Sequence, residues 1–527
     1  MNGSERTVDE QASAGKPSGY ASYALGVLFL VYLVNFIDRQ MITILAPDIK
    51  RDLGLDDADI GFLYGTAFAV FYALFGIPLG RLADSWHRVR LLTIGLALWS
   101  AMTAISGLAR NGAMLTGARI GVGIGEATAS PAAYSLISDM FPRHMRATAL
   151  AIYSAGAYFG GGLSLMIGGY IVEAWDRAYP DGGAVGLAGW QVAFMAVGLP
   201  GLLLALWVAT LREPVRGLMD GLPTPTPAAP FRGFIDELFA AIPPFTFVAA
   251  ARRGARAFAV NLGAASFFAA AAWMLAALTG AVLQWTCVGI GYYAVFSWVS
   301  ALRHSDPPTF ALIWKSRAFV ATILGYGIIA FLTYGTATFA PVYALEALGA
   351  DAKTVGLWIG GGSAVAGFLG VILGGRLSDR LHRRHPAGRI AVLGVALVTP
   401  VVPVVLAFGL SGGQSDFFWF CFWISIANFL FSLALGAAAA TTQDLVLPRM
   451  RGTATAALLL ATTLIGLALG PYAVGELSAS TGDLGFAVMA IFAAVPLGLG
   501  LLYQAWRHVP SAAAGLVTHA RRVGEAV

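Results

Sequence analysis

Apolar residues in this chain occur in long uninterrupted runs, and the alternating pattern of half-buried strands is missing. Each run holds about 20 residues, enough for a helix to cross a hydrocarbon core about 30 Å thick. A first series of helices is predicted at 20–47, 59–83, 90–109, 112–139, 146–172 and 189–211. A second series is predicted at 318–346, 353–377, 389–410, 416–444, 452–476 and 485–506. The pattern therefore predicts an all-α membrane protein with two six-helix halves.

Between the two series lies a polar, proline-rich stretch, 212–230, which cannot be a helix interior. Two further apolar stretches, 257–279 and 281–302, follow it and are flanked by arginines. They predict an inserted membrane hairpin and fourteen crossings in all, with a segment lying on the membrane surface as the alternative. The predicted organisation is a tail at 1–19, a first bundle at 20–212, a linker with the hairpin at 213–314, a second bundle at 315–507 and a tail at 508–527.

The charged residues indicate that lipid surrounds the helices, and they indicate how the chain is oriented in the membrane. Hydrophobic residues make up 58% of the chain and charged residues 12%, about half the charged share of soluble domains. If the amino terminus is cytoplasmic, most of the 33 lysine and arginine residues fall on the cytoplasmic side of the membrane. Residues 1–19 lack the apolar core of a signal peptide. We therefore expect a multi-pass protein of the bacterial inner membrane with both termini cytoplasmic, and no nucleic-acid partner despite the net charge of +5.

A repeated motif relates the two halves. The segment from Gly80 to Arg90 and the segment beginning at Gly375 both read Gly-Arg-Leu-Ala/Ser-Asp, and each follows the second helix of its half. A second echo joins 139–149 to 444–454. Both repeats face the same side, as in parallel repeats related by an axis along the membrane normal.

The first motif predicts a cytoplasmic gate. Glycines allow close helix approach, and acids at helix ends can meet an arginine or a helix N-terminus. The predicted gate residues are Gly80, Asp84, Arg88, Arg90, Gly375, Asp379 and Arg383. Positive-inside topology alone would explain the arginines, but it would not explain the repeated Gly and Asp.

Four charged side chains lie in predicted spans away from the span ends: Asp38, Arg39, Arg119 and Glu126. A charge at the membrane centre costs about 2.5 to 3.5 kcal/mol even on insertion scales, so such residues usually face a cavity or one another. At 1.5 Å per residue, antiparallel helices place Asp38 and Arg119 near one level, and Glu126 lies two turns deeper than Arg119 on the same face.

This arrangement predicts a proton switch. An acid in a low-dielectric cavity binds a proton more readily, and a nearby guanidinium opposes this, so moving the arginine changes the proton affinity. We assign proton coupling to Asp38 and Glu126, and substrate binding and charge switching to Arg39 and Arg119. The alternative is a permanent ion pair that only orients the first and fourth helices.

The sequence lacks the residues that ATP-driven transport or a metal site within the membrane would require. No lysine follows a phosphate-loop glycine pattern, so the chain has no ATP motor of its own. Cys287 and Cys421 have no paired spacing, and all seven histidines fall in predicted cytoplasmic segments, so a metal site within the membrane is not expected. We expect a protein that is not an enzyme, uses no cofactor and draws on a proton gradient.

Five segments of the first half carry a combined signature: Asn35-Phe-Ile-Asp38-Arg39-Gln, Gly80-Arg-Leu-Ala-Asp84, Leu98-Trp-Ser100, Arg119-Ile-Gly-Val-Gly-Ile-Gly-Glu126-Ala and Ser130-Pro-Ala-Ala-Tyr-Ser-Leu-Ile-Ser-Asp139-Met-Phe-Pro142. Together they resemble the spinster branch of the major facilitator superfamily. The resemblance covers both halves but not 213–314. It implies a major facilitator fold and proton-coupled movement of lysophospholipids or sphingosine-1-phosphate-like lipids, with the family's charged positions at Asp38, Arg39, Arg119 and Glu126.

A neighbouring branch, the organic anion to cation symporters, has similar first, third and fourth helices. This chain departs from it at Thr128, where that branch has proline, and in Asp139-Met-Phe-Pro142. Small-anion transport is thus the alternative function, and a transport-dead receptor or scaffold is a third. For an amphiphile, the charged first half would hold the headgroup. The tail would lie against Tyr326, Phe331, Tyr334, Trp358 and Phe368, unless these are ordinary packing residues. We expect a monomer in contact with membrane lipids.

Overall fold

The computed structural model describes residues 18–55, 68–180, 186–222, 229–350, 352–410 and 413–525, which are helical and contain no β-strand. The first bundle consists of α1 Gly19–Leu53, α2 Phe68–Ser85, α3 Arg88–Ser106, α4 Gly112–Glu126, α5 Ala129–Met140, α6 Arg143–Ala178 and α7 Gly189–Val208. The linker holds α8 Pro230–Ala241, α9 Phe245–Arg252, α10 Ala255–Thr279, α11 Val282–Ser305 and α12 Pro307–Ile313.

The second bundle begins at α13 Arg317–Glu346 and has more interruptions than the first. It continues with α14 Ala352–Val355, α15 Gly361–Arg384, α16 Gly388–Val398, α17 Val401–Leu410, α18 Phe417–Ser432, α19 Ala434–Asp444, α20 Arg451–Ala461, α21 Ala468–Thr481, α22 Leu484–Ala490, α23 Val495–Ala514 and α24 Leu516–Arg522. Two π-helical segments, Gly356–Gly360 and Thr462–Leu467, precede α15 and α21.

Twelve helices of the described chain are long and apolar enough to cross a membrane. They include ten of the predicted spans together with α10 and α11. The second predicted span begins outside the described residues, and only α2 represents it. The fourth is broken into α4 and α5, so neither part reaches the length of a span. The chain is a multi-pass, all-helical membrane protein.

The fourth predicted span, 112–139, differs from the structure because proline interrupts it. Pro131 has no N–H to donate to the carbonyl of Ala127, and its ring crowds that carbonyl. The helix therefore ends at Glu126, turns through Ala127 and Thr128, and resumes at Ala129. The hydroxyl of Thr128 donates to the carbonyl of Gly125 at 2.8 Å, so this carbonyl near the break has a hydrogen-bond donor. The break lies directly after the acid of this helix.

The eleventh predicted span, 452–476, shows a related distortion. Pro471 cannot donate to the carbonyl of Leu467, and the residues up to Leu467 form a π-helical segment. The glycines before this proline let helices pack closely: a Cβ at Gly470 would lie 2.5 Å from the carbonyl oxygen of Phe331.

The two halves meet through glycines at one end of the bundle, the end that holds 80–84 and 375–379, here called the latch end. A Cβ at Gly80 would lie 2.8 Å from the carbonyl oxygen of Gly452, so α2 and α20 approach as closely as backbones can. A Cβ at Gly375 would lie 2.9 Å from the carbonyl oxygen of Ala147, which brings α15 against α6. Any larger residue at these glycines would separate the halves.

The linker folds into a helical hairpin and a bent pair. Helices α10 and α11 pack side by side and are joined at Gly280, whose φ of +76° favours glycine. Most of α10 is exposed, including Trp273 and Leu278 at 75% each. Helices α8 and α9 meet at 111°, and α8 packs against α2 and α11. The insertion is therefore a structured unit that packs on α2 of the first bundle and also contacts the second bundle, where the ring of Trp285 on α11 lies 5.1 Å from that of Tyr472 on α21.

The helix observed at the last predicted span, 485–506, extends beyond the predicted end. Helix α23 continues to Ala514, and α24 follows it within the segment predicted as a tail. The reason is apolar spacing: Val509, Leu516 and Ala520 recur at helical intervals and are buried. The described part of this tail packs on the bundle.

Candidate functional site

One buried ion pair joins the first and fourth helices. Nη1 of Arg119 on α4 lies 2.9 Å from Oδ1 of Asp38 on α1, and both side chains are 2% exposed. Oδ2 of Asp38 accepts a hydrogen bond from the hydroxyl of Thr103 on α3. That hydroxyl also lies 2.9 Å from the carbonyl oxygen of Trp99. A hydroxyl carries one hydrogen, so Thr103 can donate to only one of these two acceptors at a time.

A second ion pair lies beside the first. Nη2 and Nε of Arg39 lie 2.7 Å and 3.2 Å from Oε2 of Glu126. Glu126 is fully buried, whereas the side chain of Arg39 is 23% exposed. The guanidinium of Arg39 lies over the rings of Phe36 and Tyr72 at 4.9 and 5.0 Å. Arg39 is therefore the member of the cluster that reaches accessible space.

The four residues form one neutral charge cluster of two cations and two anions. Glu126 is also within electrostatic range of Asp38 and Arg119, and Asp38 is within range of Arg39. Within the described chain, Oε1 of Glu126 and Nε of Arg119 are buried and have no hydrogen-bond partner. The structure brings together all four charges singled out in the sequence. It adds Thr103, which the sequence analysis missed because an isolated threonine in a span gives no signal.

The second half contributes tyrosines near this region. Tyr326 and Tyr334 of α13 lie within electrostatic range of each other and of tyrosines from the first half. Those first-half residues are Tyr32, Tyr134 and Tyr158. Tyrosines of both halves therefore lie near the charge cluster, whose four ionic residues belong to the first half.

The five aromatic residues expected to form a wall do not share one surface. Trp358 lines an apolar groove of about 690 Å³ between α15 and α18, and its ring lies edge-on to Phe418 at 5.1 Å. Phe368 instead contacts Phe159 of the first half at 4.5 Å, and Tyr326 belongs to the tyrosine group. Of the five, only Trp358 lines the groove.

At the latch end, two aspartates cap helices of the opposite half. Asp84 accepts hydrogen bonds from the N–H groups of Gly452 and Thr453 at 2.6 and 2.8 Å, and from the Thr453 hydroxyl at 2.6 Å. Asp379 accepts the equivalent three from Ala147 N–H, Thr148 N–H and the Thr148 hydroxyl at 3.1, 2.7 and 2.8 Å. Acceptors at helix N-termini satisfy unpaired donors and complement the helix dipole. Each half therefore holds the other by the same contact.

Buried arginines add a second reciprocal set at the latch end. Arg451 of the second half pairs with Asp139 of the first, and Arg146 of the first half pairs with Asp444 of the second. Within the halves, Arg88 pairs with Asp139 and Arg389 with Asp444. Of these arginines, only Arg88 was predicted as a gate residue, although Arg146 and Arg451 lie within the echo of 139–149 at 444–454.

Two predicted gate residues lie outside this network. Arg90 and Arg383 are exposed, and their side chains make no hydrogen bond or ion pair with another described residue. Both follow their motif aspartate by a few residues, and helical geometry turns them to the surface. Positive-inside topology is sufficient to explain these two.

The linker contributes acids to the same end. Asp220 pairs with Arg143 at 2.8 Å, with Arg146 at 3.2 Å and with Arg451. Asp306 pairs with Arg81 at 2.7 Å and with Arg449 at 2.8 Å. Burial alone would raise the pKa of both carboxyls, but the arginine neighbours hold the pKa of each well below its usual range. Both acids are therefore ionised at neutral pH.

No metal site accompanies these clusters in the described part of the chain, where no three His, Cys, Asp or Glu side chains are grouped to hold an ion. The features present are a charge cluster buried within the first bundle and a reciprocal latch between the bundles at one end. Such a combination is characteristic of secondary transporters built from two parallel repeats.

The chain belongs to the Major Facilitator Superfamily, whose family profile matches residues 28–305 and 322–525. An MFS-type efflux pump of Mycolicibacterium smegmatis is 28% identical over 487 residues, 91% of each chain. The probable galactarate/D-glucarate transporter GarP of Escherichia coli K12 is 30% identical over 216 residues, 40% of this chain and 45% of that protein.

A solved structure extends the likeness to the spinster branch. A bacterial homologue of the human lysosomal transporter spinster, in an inward-facing and occupied conformation, is 26% identical, with a TM-score of 0.53 over 96% of this chain and 97% of that one. The resemblance to spinster seen in the sequence is thereby confirmed. The relatives are transporters, as expected for a chain without enzymatic motifs.

Proposed function

We propose that this chain is a proton-coupled secondary transporter of an amphiphilic lipid, such as a lysophospholipid or a sphingosine-1-phosphate-like lipid, working by alternating access. The observation that carries the proposal is the neutral cluster of Asp38, Arg39, Arg119 and Glu126 buried in the first bundle. We place the protein in the bacterial inner membrane, with the latch end and both termini on the cytoplasmic side, as the distribution of arginine and lysine indicates.

The accessible arginine links substrate to proton. Arg39 reaches open space while it neutralises the buried Glu126. An anionic headgroup that draws Arg39 away would leave Glu126 buried without a cation, which favours protonation of the acid. Binding of substrate and proton would then favour the same conformation. If the pairs were permanent, the acids would orient helices and nothing more.

The contrast between the halves supports an amphiphile. The first half offers ionic partners for a headgroup, and the second offers an apolar groove of about 690 Å³ beside Trp358. A small polar anion would have no use for such a groove. With the latch end on the cytoplasmic side, the closed latch shuts the cytoplasmic path, in contrast to the inward-facing state of the solved spinster homologue.

The inserted hairpin completes the proposed topology. Helices α10 and α11 are long and apolar enough to span, and α10 exposes large apolar side chains along its length. Exposed apolar surface of this extent is unfavourable in water and is satisfied by lipid. We infer that the hairpin crosses the membrane twice, giving fourteen crossings and keeping the second bundle parallel to the first.

Transport of a small organic anion is the second candidate function. The similarity to the galactarate/D-glucarate transporter favours it, and Arg39 could bind a carboxylate as readily as a phosphate. In that case the groove beside Trp358 would hold membrane lipid instead of substrate.

The test is flux into liposomes that contain the purified protein. An imposed pH gradient would drive uptake of labelled lysophospholipid or of a labelled sugar acid, and a protonophore provides the control. Lysophospholipid flux that collapses with the gradient supports the proposal. Sugar-acid flux alone supports the second function, and no flux of either would favour a receptor or scaffold.

A further inference from the structure

The linker places one acid between facing arginines of the two halves. Oδ2 of Asp306 lies 2.7 Å from Nη1 of Arg81 on α2 and 2.8 Å from Nη1 of Arg449, just before α20. Oδ1 of Asp306 lies 3.1 Å from Nη2 of Arg449. Asp306 is 6% exposed, whereas both arginines are 22% exposed. A single buried carboxylate therefore bridges a cation of the first bundle and a cation of the second.

The position of this bridge couples it to the opening of the latch. Arg81 follows Gly80 directly, and Gly80 marks the closest approach of α2 to α20 at Gly452. Separation of α2 from α20 would pull the two guanidiniums apart, so Asp306 could keep only one of them. Breaking a buried ion pair leaves an uncompensated charge, which is strongly unfavourable. The bridge is thus available only while the latch is closed.

Without the acid, the same geometry would oppose closure. Arg81 and Arg449 would then face each other across the interface as like charges at short distance. Asp306 converts this repulsion into two attractions. The carboxyl terminus extends the series, because Glu525 pairs with Arg449. The linker repeats the arrangement at Asp220, which lies between Arg146 of the first half and Arg451 of the second.

We propose that Asp306 is a gating residue of the insertion, which acts through Arg81 and Arg449 to hold the two halves together at the latch end. The residue contacts neither the charge cluster nor the groove, so it positions the halves and does not bind substrate. The inference goes beyond the proposed function, because it requires two halves that separate at the latch end but neither a lipid substrate nor a proton. The 213–314 insertion then sets the balance between conformations.

The test measures the distance across the latch end in the full-length protein. Arg90 and Arg383 are exposed and belong to different halves, so cysteines there can carry spin labels after Cys287 and Cys421 are replaced by alanine. The distance distribution in lipid nanodiscs, without substrate, gives the ratio of open to closed latch. Asp306→Asn removes the charge, while the amide oxygen can still accept from the N–H of Thr309, at 3.2 Å in the native protein.

We expect Asp306→Asn to raise the ratio of open to closed latch by about tenfold, the size typical of losing a close charge pair. The matched control is Glu173→Gln, an exposed acid paired with Arg177 at the far end of α6, which should leave the distances unchanged. An unchanged distance distribution in Asp306→Asn would overturn the proposal.

A double-mutant cycle shows whether Asp306 acts through Arg81. In an Arg81→Gln background the like-charge repulsion is gone, so Asp306→Asn should open the latch far less than it does in the native background. An equal effect in both backgrounds would overturn the proposal, because the acid would then act elsewhere. Arg449→Gln provides the same test if one double variant fails to fold. The readout needs no transported substrate, so the failure of lipid flux and the failure of this inference are separate results.

Discussion

The latch end and the charge cluster follow opposite rules. At the latch end, Asp84 and Asp379 make the same three hydrogen bonds to the opposite half, and the pairs of Asp139 and Asp444 with arginines are likewise exchanged. In the charge cluster, all four ionic side chains come from the first half, and the second half contributes Tyr326 and Tyr334 to the tyrosine group nearby. One region is shared equally by the halves, and the other is not.

The difference suggests that the latch end serves the movement of the two halves and that the charge cluster serves coupling. Any transporter with two rocking halves needs a contact that closes one side, and reciprocal caps supply it whatever the cargo. A coupling site must distinguish a proton from a headgroup and both from an apolar tail, so equal halves would serve it poorly. We therefore expect changes in the charge cluster to alter what drives transport, and changes at the latch end to alter how often the gate opens.

The largest effect should come from removing the buried acids. Glu126→Gln and Asp38→Asn should each reduce gradient-driven flux to background, because an amide cannot take up and release the proton. Uptake into liposomes with an imposed pH gradient is the measurement. Wild-type pH dependence in both variants would contradict the coupling role.

The two acid variants should differ in stability. Asp38→Asn leaves the fully buried Arg119 without a carboxylate, whereas Glu126→Gln leaves Arg39, which is 23% exposed. Breaking a buried pair costs about 3 to 5 kcal/mol, so Asp38→Asn should lower the unfolding temperature more. Thermal unfolding in detergent provides this comparison, and equal shifts would argue that both arginines find new partners.

The next effect should be equal in the two halves. Asp84→Asn and Asp379→Asn each replace a charged acceptor of three hydrogen bonds by a neutral one, a loss of roughly 1 to 2 kcal/mol. Each should therefore favour the open latch by about tenfold, as measured by the spin-label distance between positions 90 and 383. A large effect of one variant and none of the other would show that the reciprocal contacts are not equivalent.

A smaller effect is expected from methyl groups at the close approaches. Gly80→Ala and Gly375→Ala place a Cβ against Gly452 and Ala147, and overpacking by a single methyl group lies at the lower end of the usual cost, about 1 kcal/mol. Closure should weaken by about fivefold in each case. Gly76→Ala is the control on α2, because a Cβ there has no neighbour within 4 Å. If Gly76→Ala and Gly80→Ala had the same effect on latch closure, the close approach at Gly80 would not be what closes the latch.

The smallest effect should appear in the groove of the second half. Trp358→Ala should raise the KM for long-chain lysophospholipid about three- to tenfold, which corresponds to roughly 1 kcal/mol of lost tail contact. Short-chain substrate should be less affected. Trp419→Ala removes a ring of similar exposure that does not line the groove, and serves as the control. Equal KM changes in the two variants would place the tail elsewhere.

Much of this architecture was readable from the chain. Charges isolated within apolar spans identified Asp38, Arg39, Arg119 and Glu126, because lipid tolerates ions poorly and the cost itself is the signal. The repeated Gly and Asp of the motif identified both halves of the latch. Pro131 and Pro471 could have indicated the helix distortions, since a missing N–H is a property of the residue alone.

Other features depend on the tertiary arrangement. Asp220 and Asp306 belong to a segment without a counterpart in the other half, so no repeat marks them, and their partners are far away in sequence. The aromatic wall was wrong as a single surface because helical rotation turns Phe368 toward Phe159 and Trp358 toward Phe418. Hydropathy gives a residue's depth, but it does not give the direction in which the side chain points.

The exchanged caps at the latch end also bear on ancestry. A contact in which Asp84 meets Thr453 while Asp379 meets Thr148 has the form of an isologous interface, where two identical subunits each present the same patch to the other. A six-helix precursor with one such aspartate and one such threonine could have assembled as a homodimer and closed by the same contact. Gene fusion would then have freed the two copies to diverge, so that the charge cluster lies in one of them.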